Sequence, residues 1–421
     1  MKDEKREYPN ITEVHLNITH RCNLACKYCY VRQECLDMPI EVALKSIDFL
    51  AQSAKEAKRT PFVCFFGGEP LLRWNDIIIP TVQYAKEKYK NSNFGFSITT
   101  NGTLLTMDKI KFLKENRIKL LISIDGCAPT QNYNRPFHDG RGSLMYIEPY
   151  MRAALREKLT HTFRATIIPE TCQYMYENYL YAIRLKYPIL FALVDSFSTW
   201  DDEHEKLLRR EFEKIADHYI AYYKKHKKAP IELSMLRRHL KKAQKDIATG
   251  NTKRARIVSR MKCGLGQTKS AAISPNGDIY GCQELTSNEG AESIFYIGNI
   301  YDGTKDELRD RLRREYDNNP ITGDMDCNEC EARTVCNGGC VANNYLQCGI
   351  VSQSAHGYCM YQRILYETAI KIAKELKDVP GFKTSLRERQ AVTRRGGQCR
   401  NCDTCQVCDT CQNGDSKEDL Q

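Results

Sequence analysis

The sequence predicts an α/β fold built on a parallel sheet, open or curled into a partial barrel, with a small cysteine-rich region after it. Three observations predict this. Six short β-rich runs occupy the first half, amphipathic helical stretches alternate with them, and cysteines recur at C-x3-C and C-x2-C spacing.

The first strand is read in TEVHLNIT, where Val14, Leu16 and Ile18 alternate with polar residues. PFVCFF, FGFSITT, IKLLISID, TFRATII and PILFALVD follow as further strands. Between them, IEVALKSIDFLAQSAKEAK, WNDIIIPTVQYAKEKYK and TMDKIKFLKEN carry helical spacing, the last with Thr106 placed as an N-cap. Strict β/α alternation puts the chemistry in the loops at the C-terminal strand ends.

Composition sets the context. A chain of 421 residues holds two domains with cores of their own, and no apolar run is long enough to span a bilayer. MKDEKREYPN has charges but no hydrophobic segment behind it, so the expectation is a soluble, cytoplasmic protein without a secretory signal or membrane contact. Twenty cysteines in a reducing compartment point to thiolate ligands for zinc or iron–sulfur clusters rather than to disulfides. Much of the net charge of +10 falls in residues 222–262, a basic helical stretch that reads as a solvated face joining two domains. Nucleic acid is not the expected partner, although RNA or an acidic peptide would fit such a surface.

Just past the first strand, HRCNLACKYCY places Cys22, Cys26 and Cys29 in a C-x3-C-x2-C loop. Three thiolates on a 4Fe–4S cluster leave one iron open to another ligand. A structural zinc loop would need a fourth ligand, for which His15 or His20 is near.

The segment CNLACKYC, followed in order by GGEP and SIDG, resembles the radical S-adenosylmethionine (radical SAM) family. The resemblance implies a partial (β/α)6 barrel whose open iron chelates S-adenosylmethionine. It implies that Tyr28 lies against the adenine, and that Gly67, Gly68 and Glu69 serve the cofactor's ammonium. Ser123 and Asp125 would contact ribose or the methionyl carboxylate, and Arg135 would pair with a carboxylate through its planar fork.

In the second half, CGLGQTKSAAISPNGDIYGC has a turn at Pro275, Asn276 and Gly277 between two short strands, and CNECEARTVCNGGC and HGYC follow. Paired C-x2-C motifs also suit a zinc ribbon. The spacing is similar to the SPASM domain of radical enzymes that modify peptides and proteins. That resemblance implies a small iron–sulfur domain with two auxiliary clusters, hence three 4Fe–4S clusters in all. Cys263, Cys282 and Cys340 would hold the first auxiliary cluster, and Cys327, Cys330, Cys336 and Cys359 the second. The first set is one ligand short: either Cys348 fills it or an iron stays open for a substrate thiol, as in thioether-forming maturases. Related anaerobic sulfatase maturases place an aspartate base after the second auxiliary cysteine, where this chain has Gln283.

The expected organisation is an N-terminal extension over 1–10, the barrel over 11–225, a basic helical linker over 226–260, the SPASM domain over 261–372, and a helix end with a cysteine-repeat tail over 373–421. Cys35, Cys64, Cys127 and Cys172 read as packing residues, Cys127 alone standing at a strand end that faces the cavity. The tail, with Cys399, Cys402, Cys405, Cys408 and Cys411, is too polar to fold alone and reads as a metal-handling segment, a substrate-like segment or an appendage.

The expected function is installation of thioether crosslinks in a cysteine-rich ribosomally made peptide. The expected partners are that precursor peptide, an electron donor such as flavodoxin or ferredoxin, and a separate leader-binding protein. The alternatives are a sulfatase-maturase-like enzyme, another radical peptide modification such as a C–C crosslink or epimerisation, and a non-enzymatic iron–sulfur scaffold.

Overall fold

The computed structural model describes residues 8–382 except 32, 160–162, 188, 194–198, 250–268, 287–291 and 318–319. Cys263, the basic stretch after 249 and the five tail cysteines lie outside the described residues.

All six expected strands form: β1 (Glu13–Thr19), β2 (Phe62–Gly67), β3 (Gly95–Thr100), β4 (Ile118–Ile122), β5 (Phe163–Ile167) and β6 (Ile189–Leu193). β1 to β4 lie side by side in parallel, and β5 pairs with β6 in parallel. A bridge between Ser123 and Arg164 carries the wall from the end of β4 to β5, producing a partial barrel.

Helices cover the outside: α1 (Ile40–Glu56), α2 (Ile79–Lys88), α3 (Met107–Glu115), α4 (Ala128–Asn134), α5 (Leu144–Arg156), α6 (Met175–Leu185) and α7 (Asp202–His226). In α1, Val42, Ala43, Ile47, Leu50, Ala51 and Ala54 form the apolar stripe that faces Val14, Leu16, Val63 and Phe65 of the strands. Thr106 caps α3 as expected, its Oγ1 accepting from Lys109 N at 3.3 Å. The Asp201 side chain caps α7 by accepting from the backbone N–H of Glu203 and His204, both at 3.0 Å. Acidic residues in the first turn of α7 and Lys224, Lys225 and His226 in its last turn follow the helix dipole.

The second half is not a free-standing unit. After α8 (Arg237–Thr249), β7 (Ser270–Ile273) pairs in parallel with β1, Glu13 opposite Ser270. β8 (Asp278–Tyr280), β9 (Tyr296–Asn299) and β10 (Gly303–Thr304) then continue antiparallel, so one eight-stranded sheet runs across the boundary expected at 261. The expected hairpin is present, with Gly277 at φ 90° in its turn. Three further helices follow, α9 (Asp306–Asp317), α10 (Val341–Cys348) and α11 (His356–Leu376). The helical part of the expected linker is packed rather than extended: α8 buries Leu240 and Ala243 and lies against α11, which also crosses α7. Among the described residues no helix is long and apolar enough to cross a membrane.

Candidate active site

β1 delivers the cysteine loop to the barrel mouth, and backbone hydrogen bonds fix its shape. Ala25 N donates to Pro136 O at 2.8 Å, Lys27 N to Asn134 O at 3.0 Å, and Leu24 bridges Phe137, stitching the loop to the chain that leaves α4. Within the loop, Cys29 N donates to Cys26 O, and Leu24 N points at Cys22 Sγ at 3.4 Å. Burial pushes the Cys22 thiol up to about 12 and that of Cys26 up to about 11, although Arg135, whose Nη1 lies 3.9 Å from Cys26 Sγ, works against it. Burial raises Cys29 as well. Thiolates are costly in such a place unless something cationic joins them, as an iron–sulfur cluster would, whereas no group among the described residues is spaced to hold a single metal ion.

The GGEP segment closes over this loop from β2. Gly68 N donates to Thr19 O at 2.7 Å and Glu69 N to Arg21 O at 2.9 Å. A Cβ at Gly67, where φ is +133°, would stand 2.3 Å from Thr19 O, and one at Gly68 would stand 2.2 Å from Arg21 O. The two glycines are therefore required by the approach of the chain to itself. Glu69 is fully buried and turned inward. It accepts from Leu71 N at 2.9 Å, Thr100 Oγ1 at 2.6 Å and Asn101 N at 2.8 Å. Its carboxylate thus locks the end of β2 to the end of β3. Burial raises its pKa despite the three donors.

The next strand ends contribute a charged network. Tyr28 OH donates to Asp125 Oδ2 at 2.5 Å, Asn134 Nδ2 donates to the same oxygen at 3.1 Å, and Thr166 N donates to Oδ1 at 2.9 Å. The Arg135 guanidinium completes it, 3.1 Å from Asp125 Oδ2 and 5.2 Å from the centre of the Tyr28 ring. Burial opposes the charge on Arg135, yet Asp125, Tyr28 and Cys26 hold it above its usual range. Burial likewise pushes Tyr28 far up, keeping it a neutral donor. Ser123 sits just beyond β4, its N–H on Thr100 O at 2.9 Å. The structure thus brings together Tyr28, Asp125 and Arg135 as partners of one another beside the cysteine loop.

Cys327, Cys330, Cys336 and Cys359 line a single cavity of about 40 Å³. A Cβ at Gly323 would stand 3.0 Å from Cys359 Sγ and 3.4 Å from Cys327 Sγ, so glycine there lets the backbone pass close to both thiols. Arg363 and His356 both grip Asp324 beside Cys359, at 2.9 Å each. Cys282 and Cys340 lie elsewhere: Cys340 Sγ is 4.0 Å from Glu284 Oε2, and the charges of Cys282, Glu284 and Cys29 all reach Tyr30, placing this pair near the barrel mouth. Cys263 is outside the described residues.

Sequence reasoning missed Asn101, whose Nδ2 lies 3.7 Å from Cys22 Sγ and 2.9 Å from Asn23 Oδ1, together with Thr100, Asn134 and Thr166. The signal for Asn101 was available in TTNG, which ends β3 as GGEP ends β2.

Three thiols in one loop at the end of β1 of a partial barrel define a class, and comparison agrees. Residues 16–179 match the Radical SAM superfamily. The chain carries a radical SAM domain over these residues. It is similar to an uncharacterized protein of Methanocaldococcus jannaschii, 29% identical over 298 residues, which are 70% of this chain and 90% of that one. It is also similar to the cysteine-type anaerobic sulfatase-maturating enzyme of Clostridium perfringens strain 13, 23% identical over 348 residues, 76% of this chain and 85% of that one. Its fold matches that of native anSMEcpe with bound AdoMet, with a TM-score of 0.66 and 19% identity over 86% of this chain and 99% of that one. It matches Streptococcus suis SuiB bound to precursor peptide SuiA with a TM-score of 0.51 and 18% identity over 83% and 76%.

Proposed function

We propose that the enzyme is a peptide maturase that joins cysteine sulfur to carbon in a cysteine-rich peptide. In this reading Cys22, Cys26 and Cys29 hold the radical-generating cluster, while Tyr28, Gly67, Gly68, Glu69, Ser123, Asp125 and Arg135 shape the S-adenosylmethionine pocket. Cys263, Cys282 and Cys340 hold the first auxiliary cluster, and Cys327, Cys330, Cys336 and Cys359 the second. When bound, the cofactor and its cluster supply a carbon radical that removes hydrogen from a substrate carbon. The chain's share is placement: the Asp125 network fixes Tyr28 and Arg135, Glu69 fixes the strand ends, and the barrel wall keeps water from the radical. Flavodoxin or ferredoxin would deliver electrons, and a separate protein would recognise the leader.

The choice of product rests on the first auxiliary set. Cys340 precedes α10 and Cys348 ends it, which separates them by about 12 Å of helix. In this reading Cys348, at the far end of α10, is not the missing ligand, and the first auxiliary set keeps an open position for a peptide thiol, whose pKa a metal lowers. The likeness to SuiB, solved with its precursor peptide, supports a peptide as the substrate.

A sulfatase-maturase-like reading has its own observation, since Glu284 offers a carboxylate one residue past Gln283. The two separate by product. A sulfatase-type peptide with cysteine or serine at the target position is expected to yield no formylglycine with the natural enzyme or with Gln283→Asp, because one base does not rebuild a pocket. Formylglycine in the mass spectrum from the natural enzyme would replace the thioether reading with the second.

A further inference from the structure

Along β1 and β2, Val14, Leu16, Val63 and Phe65 face the helices and are all but fully buried in the apolar core. The alternate residues, His15, Asn17, Cys64 and Phe66, therefore face the barrel interior. Strand register sets His15 opposite Cys64, and Cys64 opposite Ser97 of β3.

Cys64 is only 6% exposed, buried between Val63 and Phe65 of the core. Polar groups nevertheless gather at its thiol, which points at Phe65 O at 3.8 Å. Its thiol lies within side-chain reach of the His15 imidazole on one side and of Ser97 on the other, and Thr99 Oγ1 is 3.8 Å from Cys64 Sγ. On the imidazole, His15 Nδ1 is buried with no hydrogen-bond partner among the described residues. A buried polar atom left unpaired is costly, which a cysteine and histidine serving only to pack do not explain. Above the pair, Phe66 meets the His15 ring edge-on at 5.9 Å, and Tyr30, next to Cys29, stacks on Phe66 at 6.4 Å. A thiol–imidazole pair thus lies in the barrel wall, linked by ring contacts to the cysteine loop.

We propose that Cys64, supported by His15, is a hydrogen-atom donor to carbon radicals in the barrel. The S–H bond breaks homolytically and a C–H bond forms. The sulfur radical left behind takes one electron from a low-potential carrier of the flavodoxin or ferredoxin class and a proton by way of His15, restoring the thiol. The step depends on the superfamily's radical chemistry and not on the thioether product. It quenches a carbon radical that finds no sulfur to bond.

The test is turnover of the cluster-loaded enzyme with S-adenosylmethionine and dithionite in D2O without peptide. The exchangeable thiol then carries deuterium, and 5′-deoxyadenosine is expected to emerge one mass unit heavier. That label is lost in Cys64→Ser and in Cys64→Ala at unchanged iron content, and is kept in Cys35→Ser, which alters an exposed residue. With a nitrone trap present, the tryptic peptide spanning 60–73 gains the trap's mass at Cys64 in the natural enzyme. Unlabelled deoxyadenosine from the natural enzyme, or equal label in both Cys64 variants, overturns the proposal alone. Absence of any deoxyadenosine overturns it together with the radical chemistry beneath it.

Discussion

Replacing Cys22, Cys26 and Cys29 together by alanine is expected to reduce 5′-deoxyadenosine to background while removing one cluster's worth of iron, about four atoms per chain. The rest of the iron should stay. The three thiols share one loop whose shape comes from backbone bonds to Asn134 and Pro136 and not from the sulfurs, so the barrel mouth survives their loss. Cys327, Cys330, Cys336 and Cys359 line their own cavity, under Gly323, and are untouched by the substitution. Anaerobic reconstitution followed by iron and sulfide analysis checks this. Iron content unchanged by the triple substitution would contradict the assignment of a cluster to this loop.

Arg135→Ala is expected to be the most damaging single substitution of a residue that is not a cysteine. It leaves the Asp125 carboxylate, with no side-chain exposure, without its cation, and breaking a buried ion pair on one side costs about 3–5 kcal/mol. It also uncovers the face of the Tyr28 ring. Tyr28→Phe removes only the hydrogen bond to Asp125 and should cost less, about 1–3 kcal/mol. Denaturant unfolding of the natural protein and the two variants measures the order, and Arg135→Ala combined with Asp125→Asn should lose less than the two single changes added together. Strict additivity would mean that the pair does not act as a unit.

The parts of this molecule that announce themselves locally were legible in its sequence. Alternation in TEVHLNIT, helical spacing in α1 and the cap at Thr106 are properties of neighbouring residues, and each reappears in the structure. The order of the cysteine loop, GGEP and SIDG along the strand ends was equally readable, because β/α alternation fixes where strand ends point. Long-range pairing left no such trace. Nothing in SAAI says that β7 adds to β1 and extends the barrel sheet, since parallel register is decided by distant partners. The basic stretch was read by its charge, whereas Leu240 and Ala243 decide that α8 packs on α11. Glu69 was read as a cofactor acceptor, and the structure adds that its oxygens take bonds from Leu71, Thr100 and Asn101, a role visible only once β2 and β3 lie side by side. Cys64 looked like a packing residue for the same reason: its histidine partner lies far back in the chain, on β1, and meets it only through strand register.

The most direct test of the account is the mass of a cysteine-rich peptide after turnover. A synthetic peptide with the sequence of residues 394–421 carries five cysteines at every third position among Asp, Thr, Asn and Gln, the kind of peptide on which the enzyme is proposed to act. Incubated anaerobically with the reconstituted enzyme, S-adenosylmethionine and a reductant, it is expected to lose two hydrogens for each thioether formed. Each bridged sulfur should then resist alkylation, and fragmentation should be suppressed between the joined residues. A peptide of unchanged mass with all five thiols still alkylated, recovered beside freshly formed 5′-deoxyadenosine, would contradict it.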